Sequence, residues 1–110
     1  MNFNNFVQLD AELFSNRKIK LLRKMPEGES LVTFWIQLLC IAEKTQADGQ
    51  IYLTGLRPYT TDELAVETGY TSEFIMRALN QFDEFEMIER DEEELSIKNW
   101  KFYQDISKLD

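Results

Sequence analysis

TTDELAVETGYTSEFIMRALNQFDEFEMIERDEEELSI, residues 60–97, decides the fold. Thr60-Thr61-Asp62-Glu63 is a capping box: the Thr60 hydroxyl accepts from the Glu63 amide while the Glu63 carboxylate reaches back to the Thr60 amide. Tyr59 and Leu64 occupy the matching staple positions. Leu64, Ala65 and Thr68 fall on one face, and small Ala65 lets a second helix cross closely. Gly69 stands where the chain turns through a left-handed conformation, which glycine adopts without steric penalty. Thr71 starts the next helix, with Tyr70 and Ile75 as its staple. Ile75, Ala78, Leu79 and Phe82 then repeat at i, i+3, i+4, i+7, the core face of a helix. Met87 to Arg90 and Leu95 to Lys98 alternate as two short strands, with Asp91-Glu92-Glu93-Glu94 as the tip between them. The pattern is that of a winged helix-turn-helix.

Working outward, Asp48-Gly49 is a turn signal and Ile51-Tyr52-Leu53 a short strand. Added to the two wing strands, it predicts a three-stranded antiparallel sheet, since two strands alone are marginal. Arg57-Pro58-Tyr59 reads as an extended loop. Leu31 to Ala42 is apolar on most of a helical circumference, so the helix over roughly Glu29 to Thr45 is central and buried. Its one solvent stripe is Thr33, Gln37, Cys40 and Lys44. A first helix is expected from Ser15, as N-cap with Phe14 and Ile19 as staple, to about Lys24 before Pro26. Asn99 opens a final helix carrying Trp100, Phe102 and Tyr103. The expected class is α+β, mostly helical, a winged helix-turn-helix with extra N- and C-terminal helices. Residues 1–110 read as one domain, the N-terminal part of a longer protein.

Charge opposes the shape. From Asp62 onward fourteen acidic residues face five basic ones, a net −9, whereas the first 61 residues carry seven basic and six acidic, a net +1. DNA affinity rests on neutralising phosphates with Lys and Arg. Five of the twelve basic residues, Arg17, Lys18, Lys20, Arg23 and Lys24, crowd into eight positions of the first helix. They are the one concentrated place for phosphate contacts, and equally a solvated face opposite Ile19 and Leu22. On the second helix of the helix-turn-helix, the solvent face offers Ser72, Glu73, Met76, Arg77, Asn80 and Gln81. There Arg77 suits guanine, and Asn80 or Gln81 suits adenine. The acidic tip Asp91 to Glu94 cannot lie along a phosphate backbone. Its plainer role is a soluble turn that blocks sheet-edge pairing.

Other classes are disfavoured. The chain has no histidine, which removes the usual general base and zinc ligand. The four glycines are scattered and form no phosphate loop, and Cys40 is the only cysteine. Neither an enzyme, nor a cofactor, nor a metal site is expected. The start lacks a signal-peptide pattern and no apolar run spans a bilayer, so a cytoplasmic protein with no membrane partner is expected.

The order of several short motifs carries a resemblance. Lys18-Ile19-Lys20-Leu21-Leu22, Met25-Pro26-Glu27-Gly28, Phe34 to Leu39, Gly49 to Leu53, Pro58-Tyr59-Thr60, Phe82 to Ile88 and Ile97-Lys98-Asn99-Trp100 follow one another from about Phe6 to Gln104. The chain resembles the N-terminal domain of phage replisome organizer proteins, relatives of DnaD-like primosome components. The resemblance implies a replication-initiation domain that binds double-stranded origin DNA, self-associates, and helps recruit helicase and helicase-loader proteins. It also implies that this domain serves largely for self-association, with DNA contact depending heavily on the C-terminal region. The aromatic residues Trp100, Phe102 and Tyr103 are, by their own chemistry, candidate interface rings if they do not pack back onto the core. Two other readings compete: a winged-helix transcription regulator, and an acidic protein-interaction module that binds no DNA.

Overall fold

The structure is a computed structural model that describes residues 6–54, 57–92 and 94–103. After a 3-10 turn at Leu13–Ser15 come helices α1 (Arg17–Arg23) and α2 (Gly28–Thr45) and strands β1 (Tyr52–Thr54) and β2 (Arg57–Pro58). Helices α3 (Thr61–Thr68) and α4 (Ser72–Glu84), strands β3 (Ile88–Asp91) and β4 (Glu94–Ile97), and a second 3-10 turn at Trp100–Tyr103 complete the order. The class is α+β and mostly helical, as expected.

Helix α2 is the centre. Leu31, Val32, Phe34, Trp35, Leu38, Leu39, Ile41 and Ala42 are all buried, while Thr33, Cys40 and Lys44 are exposed and Gln37 is half-buried. A nearly all-round apolar helix has to be covered on most sides. Helix α1 packs at the start of α2 and β1 and β4 along it, while α4 reaches it through Phe82. Phe82 of α4 stacks on Phe34 with ring centroids 5.9 Å apart and meets Trp35 edge-on at 5.3 Å. Tyr70 and Phe74 close the cluster, 4.5 Å from each other and about 6 Å from Phe34.

Helices α3 and α4 form from the residues that signal them. The Glu63 amide donates to the Thr60 hydroxyl at 3.1 Å and the Thr60 amide to the Glu63 carboxylate at 3.0 Å, so the capping box is complete. Gly69 ends α3 with φ of 86°, and the Thr71 hydroxyl accepts from the Phe74 amide at 3.0 Å to start α4. Leu64, Ile75, Ala78, Leu79 and Phe82 are buried together.

Three expectations need correction. Helix α1 is capped by Asn16, not Ser15: the Asn16 side-chain oxygen Oδ1 accepts from the Lys18 amide at 2.8 Å and the Ile19 amide at 3.3 Å. Ser15 belongs to the preceding 3-10 turn, and Phe14 is 53% exposed rather than stapled. Two adjacent good caps compete here, and the one that aims Ile19 and Leu22 at α2 wins. Next, β3 and β4 form a hairpin and β1 and β2 a second one, each a two-stranded antiparallel sheet. The expected third strand touches β4 only at Gly49–Ile51, through Ile97 N to Gly49 O and Ile51 N to Leu95 O, both 2.8 Å. It then diverges, and Tyr52 pairs with Pro58 instead. Finally, Asn99 stands in a left-handed conformation, φ 57°, and Trp100–Tyr103 begin as a 3-10 turn rather than an α-helix, the residues after 103 lying outside the described ones.

The α1–α2 junction is tight. A Cβ on Gly28 would lie 2.4 Å from the Arg23 carbonyl oxygen and 2.6 Å from that of Leu22. These are backbone atoms and cannot yield. Gly69 is the opposite case: a Cβ there meets nothing within 4 Å, so only its φ of +86° resists substitution. Gly69→Ala is therefore expected to cost about 1–2 kcal/mol in urea unfolding, the left-handed penalty. Gly28→Ala should cost clearly more, and equal losses would contradict this account of the junction.

Candidate nucleic-acid interface

The cationic helix comes first. In α1 the buried positions are Ile19 and Leu22. Arg17, Lys20 and Lys24 then follow one another at i, i+3 and i+7 on the opposite side, so they form one line along the exposed face. All three are exposed, with Lys18 exposed on the flank. None of these four side chains has an ion pair among the described residues. Arg23 differs, because its guanidinium pairs with Glu29 at 2.6 Å and lies 5.4 Å over the Phe14 ring.

The candidate reading face of α4 is largely committed within the chain. The Arg77 guanidinium is ion-paired to Glu27, donates to the Pro26 carbonyl at 3.5 Å, and stacks 5.3 Å over the Phe74 ring. Asn80 accepts from Arg90 through its side-chain oxygen at 2.8 Å. Bidentate recognition of adenine needs that oxygen as an acceptor, so Arg90 competes with adenine for Asn80 and fixes its orientation. Ser72 donates its hydroxyl proton to Asp62 at 2.7 Å. Gln81 is half-buried. Four residues chosen for one face are thus brought together, but three already have partners.

Those partners were not apparent from sequence. Glu27 lies fifty residues from Arg77 and Arg90 ten from Asn80. Neither pair sits at a helical or cross-strand spacing, so no local rule links them. Arg90 also approaches Asp83 at 3.6 Å, bridging β3 to α4.

The acidic hairpin divides. Glu89 and Asp91 are exposed on β3 and Glu92 sits in the turn with φ of 58°, while Glu93 lies outside the described residues. Glu94 is not a free tip residue, because it accepts a hydrogen bond from the Tyr52 hydroxyl. That bond, with lesser help from burial and the carboxylate charge, raises the tyrosine's pKa above its ordinary 10.0. A groove of about 470 Å³ runs between this hairpin and the start of α3, floored by Leu64, Leu79 and Leu95. Its rim arginines, Arg57 and Arg90, are each occupied by an acid.

Of the three C-terminal rings named as interface candidates, Trp100 packs into the chain's own core, 8% exposed, with its Cβ and ring against Gly49. The Phe102 and Tyr103 side chains lie outside the described residues. Among the described residues no group of three or more His, Cys, Asp or Glu is arranged to hold a metal, and no helix is long and apolar enough to cross a membrane.

A family model, the N-terminal phage replisome organiser, matches residues 6–110. The chain belongs to that family, which links it to phage DNA replication and its initiation. Comparison with curated proteins and with solved structures gave no match.

The ion pair at the start of α3 sets an acid response. Arg57 chelates Glu63 at 3.0 and 2.7 Å. Together with the Thr60 amide, it holds the Glu63 carboxyl at about 2, below the ordinary 4.5. A carboxyl whose folded value is depressed stabilises the fold above its unfolded value and ceases to do so as pH falls through the folded one. The contribution is therefore lost between pH 4.5 and about 2, and the one-third exposure of Glu63 keeps it modest. Glu63→Gln should flatten the fall of urea-unfolding stability across that window. A fall as steep as in the wild type would show that the pair contributes nothing.

Proposed function

We propose that this replisome organiser domain meets origin DNA through the exposed line Arg17, Lys20 and Lys24, flanked by Lys18, in an otherwise acidic chain. The observation that carries the reading is that these cations are exposed and unpaired among the described residues, whereas the other concentrated charge is negative. On this reading the phosphate contacts position the domain and carry no sequence information of their own. Helices α3 and α4 and the β3–β4 hairpin act as a winged helix-turn-helix whose wing is turned away from DNA. Its exposed carboxylates, Glu89, Asp91 and Glu92, would repel a phosphate backbone.

The same charge division supports an assembly role. Apolar side chains are exposed next to the carboxylates, with Val66 on α3 at 86% and Met76 on α4 at 54%. Such positions favour protein contacts over phosphate contacts. The domain then works as the front part of a longer initiation protein, self-associating and helping to assemble the helicase and its loader. Binding and assembly are its whole contribution, with no catalysis. A second reading, an interaction module that engages basic replication proteins and no DNA, is favoured by the single observation of net charge −8.

The two readings separate in fluorescence anisotropy with a labelled duplex from the gene's own region, taken from roughly 50 to 200 mM salt. The DNA reading predicts affinity that falls steeply with salt. Replacing Arg17, Lys20 and Lys24 together with Gln should weaken binding evenly across sequences and reduce the log–log salt slope by about three, one per lost phosphate contact. Absence of binding at the lowest salt, or a triple variant that binds like the wild type, rejects it.

A further inference from the structure

We propose that Glu27 acts as an intramolecular stand-in for a DNA phosphate, occupying Arg77 so that α4 meets DNA only when the pair opens. The inference rests on the reading that this face of the domain approaches DNA.

Four observations converge on Glu27. It is the N-cap residue of α2, yet its side chain makes no capping bond to its own helix. The short side chains of Ser, Thr, Asp or Asn ordinarily cap from that position, so the longer Glu27 side chain is free to reach elsewhere. Here it turns away to the Arg77 guanidinium, across fifty residues of sequence. Its backbone is left-handed, φ 58° and ψ 33°, a conformation that disfavours a side chain. Next to it, Gly28 is pressed against the Arg23 and Leu22 carbonyls, so the junction has no slack and presents Glu27 from a fixed point. Strain of this kind persists only where the surroundings over-determine it, and it often accompanies a switch.

Arg77 is held as a phosphate-binding arginine would be held. It has a carboxylate on one side, the Pro26 carbonyl beside it, and the Phe74 ring 5.3 Å beneath. The ring and the backbone orient the guanidinium without satisfying its charge. Among the described residues only Glu27 neutralises it, through one carboxylate oxygen on one guanidinium nitrogen, and a phosphate oxygen can accept from the same nitrogen. Both partners are about half exposed, at 46% and 59%, so the pair is weak enough to be exchanged. The junction also follows Lys24 directly. A strand tracking the cations of α1 therefore arrives next to Glu27, where its phosphate competes for Arg77.

The test is duplex anisotropy at low salt with the 110-residue chain and a labelled mixed-sequence duplex, comparing wild type, Glu27→Gln, Arg77→Ala and the double variant. Glu27→Gln should tighten binding roughly two- to fivefold, the range of an exposed pair. It should also steepen the log–log salt slope by about one, as one more phosphate is neutralised. Glu27→Gly, which suits the left-handed backbone and folds at least as well, should give the same gain. Arg77→Ala should matter little in the wild type and abolish the gain in the Glu27→Gln background. If Glu27→Gln and Glu27→Gly bind like the wild type, or if the gain survives loss of Arg77, the latch is wrong. In that case a weakened triple variant of α1 would leave the DNA reading standing. If no variant binds duplex at all, both fall together.

Discussion

Phe82 packs against Phe34 and Trp35 at 5.9 and 5.3 Å, and that contact joins the two halves of the chain. All three rings are at most 2% exposed. Aromatic pairs in offset or edge-on geometry contribute about 0.5–1.5 kcal/mol each beyond the area they bury. The larger consequence is positional. Helix α2 cannot stand alone in water because nearly every face is apolar, and α4 cannot orient its outer face until Phe82 is seated. Helix α1 and the two hairpins then fill the remaining sides of α2. The α1–α2 junction and the outside of α4 are thereby brought together, which is the condition for Glu27 to reach Arg77.

Charge is arranged differently from packing. The core is shared by the whole chain, whereas the surface is split: exposed cations on α1, carboxylates on α3, α4 and the β3–β4 hairpin. Several cations outside α1 are used internally, Arg57 by Glu63, Arg77 by Glu27, and Arg90 by Asp83 and Asn80. Each such pair is worth little in stability, because both partners remain partly in water. Their effect on binding is larger than their effect on folding, since each removes a positive charge from the surface a phosphate would see. A pair of helices α3 and α4 with few available cations is the outcome, and it puts the burden of any DNA contact on α1.

Local signals were legible in the sequence, and long-range ones were not. The capping box at Thr60 and Glu63, the left-handed Gly69, the Thr71 cap and the buried faces of α2 and α4 all follow from spacings within a few residues. Such rules act before tertiary structure forms. The start of α1 was misplaced by one residue because Ser15 and Asn16 are both good caps, and only the packing of Ile19 and Leu22 on α2 decides between them. The third strand was overextended because alternation in Ile51 to Leu53 shows that a segment can pair, not with what. It touches β4 for three residues and then turns to β2. The exposure of the candidate residues was legible in part: the cations of α1, with Arg77 and Asn80 on α4, are exposed, while Ser72 and Gln81 are half-buried. The committed state of the site was hidden, because Glu27 to Arg77 and Arg90 to Asn80 are contacts of the folded chain.

The account stands or falls on where DNA touches the domain. The most direct measurement is a titration of the isotope-labelled domain with a short duplex, followed by amide chemical shifts. The account predicts progressive shifts over residues 17–28, with Glu27 and Gly28 among them, and a silent β3–β4 hairpin. Shifts centred on the hairpin, or none anywhere at low salt, would contradict it.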